Sequence, residues 1–138
     1  MSEIKSFRDE FGFLSNFYSV KIEFEGETYQ NAEAAFQATK TMDSLERKKF
    51  EKLTGKEAKK LGKKVKLRND WETVKEEKMY KILKAKFENP ELRRLLLATG
   101  NQIIAEHNYW GDTEWGVCNG AGQNKLGNLL MLVRENLK

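Results

Sequence analysis

The apolar positions of the chain fall into a few clear registers. Towards the C-terminus Leu126, Leu129, Leu130, Val133 and Leu137 recur at helical steps, which predicts an amphipathic helix burying one face. A longer helix is predicted over residues 71–87, where Trp71, Val74, Met79, Ile82, Leu83 and Phe87 keep helical spacing and supply much of the core, with Asp70 as its N-cap. Asn89-Pro90 ends that helix and opens another, packing through Leu92, Leu95 and Leu96 until Thr99-Gly100 stops it. Asn31 caps the helix former run NAEAAFQATK, and the Thr54/Glu57 capping-box spacing predicts a short helix over residues 55–63, after an earlier one holding Leu45 and Phe50. Period two is confined to short runs. Val20, Ile22 and Phe24 alternate with Lys21, Glu23 and Glu25 ahead of Gly26, predicting a strand and hairpin turn. Residues 102–107 predict a short strand with Ile103 and Ala105 on one side and Ile104 and Glu106 on the other. With no repeats, linkers or low-complexity stretches, the pattern predicts a single compact α+β domain over residues 1–138, mostly α with a small β element.

Composition narrows the chemistry. At 138 residues and 39% apolar content the chain can bury a real core. A single cysteine, Cys118, excludes an internal disulfide, and a single histidine, His107, leaves no zinc-type cluster. The expectation is an intracellular, cytoplasmic protein without metal or cofactor, with no signal segment and no membrane span. The net charge of +4 is gathered in residues 46–68, which hold eleven Lys/Arg against three Glu. Such a stretch is either a phosphate-facing surface, giving contact with DNA or RNA, or a solvated one, and the sequence weighs these alike.

Three stretches carry candidate chemistry. The opening residues interleave Phe7, Phe11, Phe13, Phe17 and Tyr18 with Arg8, Ser15 and Asn16. On the helix after Asn31, 100° per residue puts Glu33, Gln37 and Lys40 in one stripe beside Ala32, Ala35, Phe36 and Thr39. A carboxylate, an amide and an amine in a row make either a reactive edge or an ordinary solvated face. Residues 106–124 crowd Glu106, Trp110-Gly111, Asp112, Glu114, Trp115-Gly116, Gly120, Gly122 and Asn124 before the closing helix. Glycines there let backbone approach a ligand, and a helix N-terminus favours an anion such as phosphate. The plainer alternative is a turn-rich loop whose tryptophans cap the core.

In their order along the chain, these residues resemble the YbiA-like family, also called NADAR. The resemblance is carried by Leu14-Ser15-Asn16-Phe17-Tyr18, by Glu33, Gln37 and Lys40, by Arg68 and Trp71, and by Lys86-Phe87. It continues through Thr99-Gly100, Glu106, Trp110-Gly111-Asp112, Trp115-Gly116 and Gly122-Gln123-Asn124-Lys125-Leu126-Gly127. It implies an N-glycosidase that cleaves a ribose–nitrogen bond, with two substrate classes: ADP-ribose attached to guanine in nucleic acid, and ribosylamino-pyrimidine phosphate intermediates of riboflavin biosynthesis. It points to Glu33, Trp71 and Asp112 as functional positions, and to an imine-forming lysine, for which Lys40 is the candidate. The chain departs from the family at Ala34 and Ala35, where an aromatic is common.

Cleaving an N-glycosidic bond builds positive charge on the sugar and negative charge on the leaving base, so a carboxylate and a proton donor are needed. Glu33 and Asp112 are expected to divide these roles, and Lys40, if desolvated, could attack a ring-opened ribose. Expected substrate contacts are Trp71, Trp110 and Trp115 against the base or as pocket walls, Arg8, Arg68 and Asn124 towards phosphate, and Asn16, Gln37 and Glu106 as further polar contacts. The expected activity is removal of ADP-ribose from ADP-ribosylated guanine, with the pyrimidine substrates as the alternative. Outside catalysis, the competing readings are a nucleic-acid-binding or ADP-ribose-binding module and a protein-interaction surface.

Overall fold

The computed structural model describes residues 2–138 and is mostly α with a small β element. In chain order the elements are β1 (Glu3–Ile4), a 3-10 helix (Asp9–Leu14), β2 (Ile22–Phe24), β3 (Glu27–Tyr29), α1 (Ala32–Ala38), α2 (Ser44–Lys48) and α3 (Gly55–Gly62). Then come α4 (Trp71–Lys86), α5 (Pro90–Ala98), β4 (Ile103–Ile104), β5 (His107–Asn108), β6 (Val117–Cys118) and α6 (Lys125–Leu137). They group into two units, Asn16–Lys86 and residues 2–15 with Phe87–Lys138. No helix among the described residues is long and apolar enough to cross a membrane.

In the middle unit the predicted hairpin forms. β2 and β3 pair antiparallel with Ile22 opposite Tyr29, both buried, and the turn places Glu25 and Gly26 at positive φ of 49° and 87°. Asn31 caps α1 as predicted: its Oδ1 accepts from the Ala34 amide at 2.7 Å, and its Nδ2 donates to the Leu53 carbonyl at 3.0 Å. Ala32, Ala34, Ala35 and Ala38 are fully buried, and this small-residue surface lets α1 pack closely on α3. The capping box at Thr54/Glu57 is present in both directions. The preceding helix differs from expectation. It starts from Asp43, which accepts the Leu45 and Glu46 amides, and leaves Leu45 72% exposed, while Phe50 is buried beyond its end. On α4 the expected apolar face is buried, apart from a half-buried Val74, but it also carries Lys75 and Lys86. Asp70 stands before α4, yet its carboxylate accepts from Arg68 rather than capping the helix.

In the other unit Asn89 caps α5 through the Glu91 and Leu92 amides with Pro90 in the first turn, and Gly100 leaves the helix at φ 64°. α6 packs on α5 and β4 and buries Leu126, Leu130 and Val133. The buried position next to Val133 is taken by Arg134, whose Nη1 donates to Thr99 Oγ1 at 2.9 Å. The single strand predicted over residues 102–107 is instead two short pieces with different partners: β4 runs parallel to β1, and β5 parallel to β6. Ile104 and Ala105 are both buried, so the predicted alternation breaks there, although the Ala105 and His107 amides still donate to the Ile4 and Lys5 carbonyls.

Candidate active site

α1 carries Glu33 and Gln37 of the predicted stripe, while Lys40 lies in the turn after the last residue of the helix, its amide donating to the Gln37 carbonyl at 3.1 Å. In the first turn of the helix the Glu33 amide donates to the Asn16 carbonyl at 2.9 Å, tying the aromatic opening to the stripe. Glu33 Oε2 accepts from Gln37 Nε2 at 2.6 Å. Gln37 is 5% exposed, and its amide lies against Gly62 of α3, where a Cβ would overlap it. Its other end, Oε1, is buried with no hydrogen-bond partner, and so is Oδ1 of Asn16, whose Nδ2 faces Met79 Sδ at 3.7 Å. Buried acceptors without donors are rare in native proteins and cost free energy, so these two amides are held in place by the packing around them, with α3 lying over Gln37. A turn on, Lys40 is half-buried. Burial holds its amine below the ordinary lysine range, the Glu33 carboxylate opposes that shift, and the Lys59 and Lys63 charges reinforce it.

Two other residues expected at this site are committed elsewhere. Trp71 is 6% exposed and packs its ring on Phe36 at 5.1 Å and 50°, which is a core contact. Arg68 forms a fork with Asp70 (Nε to Oδ1 at 2.6 Å, Nη2 to Oδ2 at 3.1 Å), and its Nη1 donates to the Thr39 carbonyl at 3.3 Å. That geometry braces the end of α1 and leaves little of the guanidinium for a phosphate.

The 106–124 loop in the other unit is held by its own polar groups. Asn108 donates to the Asp112 carbonyl at 2.9 Å and accepts from its amide at 3.1 Å. Asp112 Oδ1 accepts from the Glu114 and Trp115 amides at 3.1 and 2.9 Å. Glu114 pairs with Lys125 at 2.8 Å, and that ammonium sits 5.8 Å from the half-buried Trp115 ring. Asn124, in left-handed backbone at φ 52°, accepts from the Glu106 amide and donates to the Ile104 carbonyl, so its amide fastens the half-buried Glu106 to the start of α6. The expected phosphate site at the helix N-terminus does not form, because the amides of Gln123, Asn124, Lys125 and Leu126 donate to the carbonyls of Thr113, Gly116, Glu114 and Trp115. Trp110 is 54% exposed and stacks edge-on with Tyr109 at 5.4 Å, and Arg8 is exposed.

Sequence reasoning passed over Lys86. It is 1% exposed, its ammonium lies 5.8 Å from the Tyr18 ring centre, and burial pulls its pKa down to about 7. The signal was available: Met79, Ile82 and Lys86 share one helical face at steps of three and four, and a lysine on an apolar face is anomalous.

With the geometry in place, the chain can be compared with known proteins. The NADAR domain model matches residues 4–138. The N-glycosidase YbiA of Shigella boydii is 42% identical over 137 residues, covering 94% of this chain and 83% of that protein. The NMR structure of Escherichia coli YbiA superposes with a TM-score of 0.85 at 38% identity, over 99% of this chain and 86% of that one. A riboflavin biosynthesis protein of Vibrio vulnificus is 36% identical over 135 residues, covering 92% of this chain but 36% of its own longer one. A match along nearly the whole chain, in sequence and in fold, means that this protein belongs to the NADAR family and is an N-glycosyl hydrolase.

Proposed function

We propose that the protein removes ADP-ribose from ADP-ribosylated guanine in nucleic acid, using the α1 stripe. The observation that carries this reading is the Glu33 carboxylate, held by the buried Gln37 amide, with the partly desolvated Lys40 amine close enough to feel its charge. Glu33, held by Gln37, steadies the charge that grows on the ribose or draws a proton from the nucleophile. An amine held below its ordinary pKa keeps a larger neutral fraction, and the neutral form is the nucleophile. Lys40 attacks the sugar carbon of the ring-opened ribose to give an imine, the base leaves with the proton, and water then releases ADP-ribose. The lysine-rich segment supports a substrate carrying additional phosphates.

A second reading has its own support, since one relative is named a riboflavin biosynthesis protein. Under it the substrate is a ribosylamino-pyrimidine phosphate, and the lysines are only solvated. The test is mass-resolved turnover of both substrates by the wild type, Glu33→Gln and Lys40→Met. Release of ADP-ribose from an ADP-ribosyl-guanosine oligonucleotide, lost in Glu33→Gln, is expected. Cleavage of the pyrimidine substrate alone would establish the second reading, and full activity in Glu33→Gln would remove that carboxylate from the mechanism.

A further inference from the structure

An open groove of about 700 Å³ lies in the middle unit between residues 41–46 and 64–70, just beyond the point where the α1 stripe ends. The Arg68 amide donates to the Lys40 carbonyl at 2.8 Å, so the groove wall is joined directly to the residue carrying the desolvated amine. Its lining combines two features that seldom meet on a solvated surface. Met42 and Leu67 present bare apolar side chains, 69% and 48% exposed, and beside them stand Lys64 and Lys66. The carboxylates of the groove are already engaged: Asp43 caps α2, Glu46 pairs with Lys49 at 3.0 Å, and Asp70 holds Arg68. Lys64 and Lys66 make no ion pair among the described residues.

The surrounding charge follows the same rule. Within residues 46–68 the cations Arg47, Lys49 and Arg68 are paired, while the other eight lysines make no ion pair among the described residues. Four of them, Lys56, Lys59, Lys60 and Lys63, fall within about 100° of arc along α3 and its C-cap, and all four are exposed. The stripe reaches the site, since Lys59 and Lys63 both depress the Lys40 pKa. Elsewhere Lys75, Lys78, Lys81, Lys125 and Lys138 all have carboxylate partners.

We propose that this groove is a subsite for the nucleic-acid strand flanking the modified base, with Met42 and Leu67 as the apolar platform for a neighbouring unstacked base and Lys64 and Lys66 on its phosphates. The proposal deepens the nucleic-acid reading above and rests on it for the identity of the strand. The uncompensated lysines supply charge complementarity to a polyanion, and the apolar platform selects an exposed base over a bare phosphate chain.

The test uses fluorescence anisotropy of an unmodified, labelled twelve-nucleotide single strand, in DNA and RNA forms, at graded salt. The wild type is expected to bind with an affinity that falls steeply with salt, by a log–log slope of about −0.7 per phosphate contact. Lys64→Glu with Lys66→Glu should weaken binding at least about tenfold and flatten that slope. Met42→Ala with Leu67→Ala should weaken it several-fold at unchanged slope, and Lys5→Glu, an exposed lysine of the other unit, should do neither. In turnover, the charge-reversal pair should raise KM for an ADP-ribosylated oligonucleotide at least about tenfold relative to free ADP-ribosyl-guanosine. Equal binding by wild type and variants, or no wild-type binding at low salt, overturns the subsite. If the oligonucleotide is cleaved with KM unmoved in the variants, the subsite falls and the substrate reading stands. If the strand binds through these residues but no ADP-ribosylated guanine is cleaved, the substrate reading falls and the subsite stands.

Discussion

The α1 stripe and the 106–124 loop look alike in the sequence, since each crowds carboxylates and amides beside apolar residues, but they differ in how their polar groups are satisfied. In the loop almost every group has a partner within the loop or its neighbours: Asn108 clasps the Asp112 backbone, Asp112 Oδ1 takes two amides, Glu114 takes Lys125, and Asn124 fastens residues 104 and 106. Around α1 the polar groups are just as firmly placed, yet Gln37 Oε1 on the helix and Asn16 Oδ1 before it remain without donors, and the Lys40 amine just after it is partly desolvated. Density of polar residues therefore does not by itself identify chemistry. Polar groups that are positioned but left unsatisfied are the rarer feature, because the fold bears their desolvation with no return within the chain.

The strongest way to test this contrast is to neutralise one carboxylate from each region. Glu33→Gln keeps an acceptor for Gln37, so the fold should be retained while turnover falls by about 10²- to 10⁴-fold, the range for a lost acid–base group. Asp112→Asn keeps the Oδ1 acceptor that orders the turn and should lose less activity, with its unfolding midpoint held. Asp112→Ala also removes two amide partners and should cost about 1–3 kcal/mol, lowering the midpoint by several degrees. A loss in Asp112→Asn as deep as that in Glu33→Gln would show that the loop does chemistry on the same footing as α1.

Much of this was legible in the residues, and the exceptions have a common cause. α3 and α5 were readable because each joins a 3.6-residue period to a cap, at Thr54 and Asn89, and α6 because its apolar period is sustained from Leu126 to Leu137. β1 and β6 are two residues long and show no period to read. Asp70 was misjudged because a competing donor, Arg68, lies two positions away and takes both carboxylate oxygens. The stripe of Glu33, Gln37 and Lys40 followed from helix geometry alone. That Gln37 Oε1 has no donor did not, since it depends on α3 lying over it. Nor did the blocked start of α6, because bonds between backbone carbonyls and amides leave no trace in side-chain identity.

Lys86 sharpens the contrast from the side of stability. Its pKa is near 7 in the fold and about 10.4 when the chain is unfolded, so between those values the unfolded chain binds the extra proton. The fold should therefore gain stability as pH rises from about 7 towards 10, by at most about 1.4 kcal/mol per unit from this group, and lose the gain on return. Below about 7 both states are protonated and the contribution to the slope vanishes. Urea unfolding of wild type and Lys86→Met across this range should show a difference that narrows as pH rises, since Met carries no such proton. Parallel curves would mean that the amine finds enough polar company in the interior to stay charged.

The smallest expected effect is the most specific to α1. In an exposed helix Gly→Ala stabilises by up to about 1 kcal/mol. At Gly62 a Cβ would overlap the Gln37 amide, standing 2.6 Å from its Cδ and 3.2 Å from its Cβ. The amide end is flexible and can swing aside, so Gly62→Ala should leave stability within about 1 kcal/mol of wild type, the helix gain offset by lost packing. Swinging aside releases Glu33, however, and KM and kcat should both worsen by a few-fold. In a Gln37→Ala background the obstruction is gone, and Gly62→Ala should then recover its ordinary helix-stabilising effect with no further loss of turnover. That non-additivity, a coupling of about 1 kcal/mol in a double-mutant cycle, is the signature of direct contact. Additive effects would mean that α3 does not hold the Gln37 amide, and the unsatisfied oxygen would lose the structural reason for staying where it is.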